Sequence, residues 1–450
     1  MSLEDLQKDR SEAALADFSR ALALDPDYVW ARYQRGQLLR ELGHYDDALI
    51  DLRHAASLEP DDAPVYAELG EVLRLMRRYE EAVEAFAQAI TLRPDYVWAL
   101  GSRGQSLRAL RRHNEALADF TQALEIDPEV AWIIAERGEI LRVTGHYEAA
   151  VGEFSRALEL EADYVWALGH RAICYRELGS YEESLADFNV AIDLTPREAW
   201  LFAERGETRR LCEQLEEAVE DLDRAIELAP DYSWALGSRG AAHRTMGHNE
   251  AAFVDFARAL EIDPAYVWVY MQRGTLCRSL GRHDEAVTDF TRVIELDANH
   301  SGAYAERGEI YRLRRQYAQA LADFTRAIEL RENYAWALGS RGQTYRALNR
   351  YDEAIADLSQ AFELRPDASW VIAERGECYR LSRRFDEAIS DFNHALEMNP
   401  QDSWTLSRRG AAYQALKIFE EAYIDLTRAI EIDPENAWAL AQRGSLFRQM

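Results

Sequence analysis

One residue type in this chain is confined to a single phase of a long repeat and a second recurs ten places further on, and both suit recognition better than bond-making. All eleven tryptophans stand at the second position of a 34-residue period: Trp30, Trp98, Trp132, Trp166, Trp200, Trp234, Trp268, Trp336, Trp370, Trp404 and Trp438. Ten places further on, arginine recurs in twelve of thirteen copies, including Arg108, Arg142, Arg176, Arg210, Arg244, Arg278, Arg312, Arg346 and Arg380, with Gln414 the exception. An indole offers a large rigid stacking surface at small entropic cost, and a guanidinium gives paired hydrogen bonds to a carboxylate. Residues of bond-making chemistry show no such order. The ten histidines scatter mainly over turns and second helices, and His170 alone falls on the stripe shared by the tryptophans and these arginines. Cys174, Cys212, Cys277 and Cys378 occupy three different phases with no CxxC spacing, as expected of free thiols in a reducing compartment. No His, Cys and Asp grouping has metal-ligand spacing. Acid pairs such as Glu216-Glu217 and Glu420-Glu421 fall where a helix starts and complement its dipole. No catalytic residue, cofactor or metal is expected.

A fixed interval requires one repeated structural element to position these residues. With Trp98 at position 2, position 8 is glycine in twelve of thirteen copies (Gly36, Gly70, Gly104 and onward), with Ala172 the exception. Apolar or small residues recur at helical spacing over positions 3–11 and again over 20–30. Position 20 is alanine in eleven of twelve full copies, position 24 is always Phe or Leu, and position 27 is alanine in eleven of twelve. Small residues at fixed phases let two helices approach closely, and the larger side chain fills the space between successive pairs. Ten of the eleven prolines stand at position 32, where proline ends one helix and starts the next. Each repeat therefore reads as a helical hairpin, and the chain as a stack of them.

The 34-residue length, glycine at 8, alanine at 20, Phe or Leu at 24, alanine at 27 and proline at 32 resemble the tetratricopeptide repeat along essentially the whole chain. The resemblance implies an all-α, right-handed superhelical solenoid of about thirteen helix-turn-helix hairpins. It would form a single array over 1–450, with an incomplete first repeat at 1–28, twelve full repeats at 29–436 and an incomplete last repeat at 437–450. It also implies that positions 2, 5, 6, 9, 12 and 13 of the first helix line a concave groove that takes a protein segment or extended peptide. The tryptophans Trp98 to Trp404 and the arginines Arg108 to Arg380 named above would then form two ladders in that groove. Family members that clamp chaperone C-termini use lysine at 5 and asparagine at 9; this chain has neither in any repeat, so a co-chaperone role is not expected.

Position 7, leucine in the family pattern, is arginine in twelve of thirteen copies, and position 23 is acidic in eleven of twelve. The repeat that lacks the arginine, at Leu69, also lacks the acid, at Ala85. Joint loss is what a buried ion pair predicts, because one charge left alone would cost about 3–5 kcal/mol. Pairs such as Arg35–Asp51 and Arg103–Asp119 are therefore expected to join the two helices of a hairpin.

A second period overlies the first. Repeats with Ala135-Glu136-Arg137-Gly138-Glu139 and its equivalents alternate with a Trp-Ala-Leu-Gly type, as at Trp98 to Gly101 and Trp336 to Gly339. Mid-helix Gly101, Gly169, Gly237 and Gly339 each cost about 1 kcal/mol relative to alanine, so a neighbouring Trp, helix or ligand backbone is expected close to them. Each indole has two compatible duties, packing on the preceding hairpin and stacking a ligand. Arg142 and Arg312 have a glutamate three residues earlier; Arg108, Arg244 and Arg346 do not, which leaves a ligand anion or a neighbouring repeat's glutamate as partner.

The formal charge of −28 disfavours nucleic acid, since phosphate binding needs clustered Lys and Arg. No apolar run long enough to span a bilayer and no signal-peptide pattern is found, so a soluble, cytoplasmic protein without membrane contact is expected. The uncapped ends suggest a sensor or regulatory arm of a larger signalling protein, or self-association through the terminal helices. The leading expectation is a non-catalytic scaffold that binds protein segments in a Trp- and Arg-lined groove.

Overall fold

The structure is a computed structural model that describes residues 3–450, with side chains from Arg10 onward. Its described residues form 26 α-helices and no strand, from Leu3–Leu24 to Ala437–Gln449. Helices pair into hairpins as the periodicity requires: Val97–Ala109 packs on His113–Ile126, and the same pairing recurs from Val29–Glu41 with Tyr45–Leu58 to Ser403–Ala415 with Phe419–Ile432. Every intra-hairpin turn carries one left-handed residue at position 15. It is glycine in five turns, as at Gly43 (φ 78°), and a side-chain-bearing residue in seven, as at Arg111 (φ 59°). There the N–H of Arg111 donates to the Arg108 carbonyl and that of Arg112 to the Leu107 carbonyl, which satisfies the last carbonyls of the first helix.

The core sits between the two helices of each hairpin and between neighbouring hairpins. Phe86, Phe120, Phe154 and Phe256 at position 24 are fully buried. Glycine at position 8 makes room for them: a Cβ on Gly240 would stand 2.7 Å from the Phe256 ring. Close helix approach thus depends on the missing methyl group.

The charged pair between positions 7 and 23 is present in all eleven hairpins that carry both residues. In one, Arg341 donates Nε to Asp357 Oδ2 at 2.7 Å and Nη2 to Oδ1 at 2.8 Å. Arg103 grips Asp119 the same way at 2.7 and 2.6 Å, and Arg137 uses the longer Glu153. The aspartates are buried and the guanidinium groups mostly sheltered, not directed into open solvent. Nη1 of these arginines often reaches the preceding second helix: Arg171 to Ser155 at 3.0 Å, Arg341 to Thr325 at 3.2 Å, Arg409 to Asn393 at 2.8 Å. One side chain therefore joins both helices of its hairpin and the hairpin before it. In the exceptional repeat, Leu69 and Ala85 are both buried, an apolar contact in place of the ionic one.

The chain divides into two compact units, Met1–Pro230 and Asp231–Met450, at a point where the period shows no break. Within each unit, first helices of successive hairpins touch directly, whereas among the described residues no second helix touches the next second helix. The first helices therefore line the shorter, inner side of each stack. No helix among the described residues is long and apolar enough to cross a membrane.

Candidate functional site

The tryptophans lie in the first turn of the first helices, and none is either fully buried or fully free. Trp98, Trp132, Trp166, Trp200, Trp234, Trp268, Trp336 and Trp404 are half-buried, and Trp370 is 39% exposed. Their packing follows the two-repeat alternation. In Trp-Ala-Leu-Gly repeats the indole stands beside the tyrosine two residues before it, with centroids 6.0 Å apart for Tyr96–Trp98 and 6.1 Å for Tyr334–Trp336. The core Phe of the preceding hairpin meets it edge-on, as in Phe86–Trp98 and Phe324–Trp336. In the repeats that follow, Trp132, Trp200 and Trp370 place an indole edge over Gly101, Gly169 and Gly339, so closely that a Cβ there would overlap the ring; Trp268 does likewise, less tightly, over Gly237. The mid-helix glycines thus accommodate the next repeat's tryptophan.

Gly339→Ala is accordingly expected to destabilise the second unit by about 1–2 kcal/mol, because displacing Trp370 outweighs a helix-propensity gain of about 1 kcal/mol. Gly152→Ala, at an exposed mid-helix glycine with nothing near its Cβ, should stabilise by up to about 1 kcal/mol. Urea unfolding of the two variants checks the opposite signs.

The arginines at position 12 all lie in the last turn of a first helix, and alternate between two kinds of carboxylate. In Ala-Glu-Arg-Gly-Glu repeats the partner is local: Arg142 grips Glu139 at 2.7 and 2.8 Å, and Arg210, Arg312 and Arg380 hold Glu207, Glu309 and Glu377 in the same fork. In the intervening repeats the partner is position 6 of the next repeat. Arg108 stands 2.8 Å from Glu136, Arg278 2.8 Å from Glu306, Arg346 2.7 Å from Glu374, and Arg176 contacts Glu204. Gln105 and Gln343 at position 9 donate to the same carboxylates, at 2.9 and 3.1 Å. Arg244 occupies the equivalent last turn of helix Ser233–Thr245. Carboxylates of the chain itself therefore neutralise these arginines from Arg108 to Arg210 and from Arg278 to Arg380, and of the two partners open to Arg108 and Arg346 the structure supplies the neighbouring glutamate. These position-6 glutamates were legible in the sequence as half of the two-repeat alternation.

Burial raises the carboxyl of Glu136 despite Arg108 beside it. For Glu139 burial also acts upward, but Arg142, His170 and Arg108 outweigh it and hold the group below the usual glutamate range. His170 takes position 6 in its repeat, where Ser102, Ser238 and Ser340 stand in others of the type. Its ring lies 4.4 Å from Trp166 and 5.7 Å from Trp200 by centroid, with Nδ1 3.3 Å from Glu139. Burial pushes its pKa down to about 4 against the pull of Glu139. The thiols of Cys174, Cys277 and Cys378 are pushed up by burial, to about 12, 11 and 12, which removes thiolate character at neutral pH. Among the described residues no group of three or more His, Cys, Asp or Glu is arranged to hold a metal.

One cation of this face escaped the reading of the ladders. Arg408 occupies position 6 of the repeat whose position 12 is Gln414, so the guanidinium has moved within that repeat. Ser407-Arg408-Arg409-Gly410 carries the signal: an extra arginine before the structural one, in the copy where the ladder fails.

Family models described as tetratricopeptide repeat match residues 31–62, 61–129, 136–199, 202–232, 269–300, 300–367 and 335–401, and one described as TPR repeat matches residues 4–43. Among solved structures, the chain is similar to one from the crystal structure of the APC/C hetero-tetramer Cut9–Hcn1, at 15% identity over 98% of this chain and 94% of that one, with a TM-score of 0.53. It is also similar to YrrB, a TPR protein with an unusual peptide-binding site, at 24% identity over 42% of this chain and 97% of that one, with a TM-score of 0.37. No curated protein matches the sequence.

Proposed function

The chain belongs to the tetratricopeptide-repeat family, and from that premise we propose that it is a non-catalytic scaffold that binds a protein segment along the inner face of its first helices. The observation that carries this reading is the half-burial of the indoles. One side of each is fixed by packing, so the ring is rigid before any ligand arrives, while its remaining surface meets solvent. Preorganised aromatic surface at regular spacing suits an extended segment, because binding then orders few side chains. The paired arginines refine the expected ligand. With Arg108, Arg142, Arg312 and Arg346 already holding carboxylates, most of the face offers guanidinium N–H groups to backbone carbonyls and little net charge to an anion. Recognition would therefore rest on apolar stacking more than on charge.

Trp234→Ala combined with Trp336→Ala tests this reading by pull-down from lysate. Partners retained by the wild type are expected to fall by about tenfold or more, since losing two aromatic anchors removes more than 1.4 kcal/mol. Unchanged helicity by circular dichroism would separate this from unfolding. A binding profile identical to that of the wild type would sink the groove reading.

A further inference from the structure

In the second unit Arg278, Arg312, Arg346 and Arg380 each hold a carboxylate, and a further guanidinium stands beside the last two. Arg408, midway along helix Ser403–Ala415, has its guanidinium carbon 3.7 Å from the centroid of the Trp438 indole and 5.2 Å from that of Trp404. Its nearest carboxylate is Glu377, 3.6 Å from Nη1, but both oxygens of Glu377 already take Arg380 at 2.7 and 2.8 Å. The adjoining Glu374 is taken by Arg346. Three guanidinium groups thus share two carboxylates. Nε of Arg408 is buried with no hydrogen-bond partner among the described residues, and so is Oε1 of Gln414. The Arg408 side chain is nevertheless 19% exposed. Burial, with Arg380 and Arg346 facing it, holds its guanidinium below the ordinary arginine value, whereas Arg142, Arg312 and Arg341 are raised by their own carboxylates.

We propose that Arg408, backed by Trp438 and flanked by Arg380, is a subsite for a single carboxylate carried by a bound protein segment. An incoming carboxylate would meet the exposed edge of this guanidinium and supply the acceptor that Glu377, held by Arg380, does not. The planar fork of arginine matches a carboxylate, and the indole beneath fixes the plane of that fork. One surplus positive charge suits a monoanion. A dianionic phosphate would meet Glu377 and Glu374 at close range. This subsite rests on the groove reading above and would place an acidic side chain, or a chain terminus, at one defined point along that face.

Two variants test it: Arg408→Gln, and Arg408→Gln with Gln414→Arg, which keeps the net charge and returns the guanidinium to position 12, away from Trp438. The first probe is sodium acetate against sodium chloride at equal ionic strength. In the wild type, acetate at twice its dissociation constant should slow hydrogen exchange in helices Ser403–Ala415 and Ala437–Gln449 by about threefold. Neither variant should respond, and equal slowing in the variants overturns the subsite. The second probe is a decapeptide array with glutamate or glutamine at the centre, each with a free or an amidated C-terminus. Peptides bound by the wild type should require one of the two carboxylates and should bind Arg408→Gln about tenfold more weakly. The form that loses binding identifies the source of the carboxylate. Peptides that bind wild type and variant equally in all four forms overturn the subsite and leave the groove reading standing. An acetate response without any peptide binding supports the subsite and sinks the groove reading.

Discussion

Replacing Arg341 with leucine is expected to cost about 3 kcal/mol of local stability, whereas Arg341→Leu together with Asp357→Ala should lie within about 1 kcal/mol of the wild type. The asymmetry follows from the geometry. Asp357 is buried and both its oxygens accept from Arg341, so removing the cation alone strands an ionised carboxylate beside the core. Removing both charges leaves an apolar contact of the kind that Leu69 and Ala85 already make in this chain, where each is buried. The value lies near the lower end for a broken buried pair because the Arg341 side chain keeps 17% of its surface in solvent. Unfolding of a long array need not be two-state, so the measurement is hydrogen-exchange protection in helices Ala335–Ala347 and Tyr351–Leu364. A double variant as unprotected as the single one would refute the pairing argument.

The second large effect is a pH dependence centred on His170. In the fold its imidazole stays neutral down to about pH 4, while an unfolded histidine titrates near 6.5. Between these values the unfolded chain binds the proton and the folded chain does not, so acid favours unfolding. The contribution of His170 to stability is complete above about pH 6.5 and is lost as the pH falls towards about 4. It amounts to about 3 kcal/mol over the whole interval. His170→Ser introduces the residue that Ser102, Ser238 and Ser340 supply at the same position, each buried in its own repeat. The stability difference between wild type and variant, followed by urea unfolding from pH 7.5 to 4.5, should shift steadily in favour of the variant below pH 6.5. A difference independent of pH would show that the imidazole titrates normally in the fold.

The hairpins and their closest contacts are legible in the sequence because each contact recurs at a constant offset. Gly240 and Phe256 stand sixteen residues apart, as do Arg341 and Asp357, and repetition of the pair makes the contact visible. The joint loss at Leu69 and Ala85 adds a chemical reason. The mid-helix glycines are also readable, since their helix penalty requires a close neighbour, which proves to be the tryptophan of the next repeat at Gly101, Gly169 and Gly339. Arg408 is harder to read. A residue displaced from position 12 to position 6 looks like one more exception until its neighbours show that no carboxylate followed it.

The sequence by itself determined the all-α class, the hairpin as the repeating unit, the ionic link within each hairpin and the placement of indoles and guanidinium groups on the first helices. These depend on contacts at short, repeated separations, where helical geometry leaves few alternatives. Only the tertiary structure decided that Arg108 and Arg346, with no glutamate three residues earlier, take the neighbouring repeat's glutamate and are not left for a ligand anion. A guanidinium on a long flexible side chain reaches either Glu139, three residues back, or a glutamate such as Glu136 on the next hairpin, 28 residues ahead of Arg108. Stacking sets the distance between hairpins and so brings Glu136 within reach of Arg108. The same stacking leaves each indole half covered, and leaves Arg408 with a ring beneath it and no carboxylate of its own.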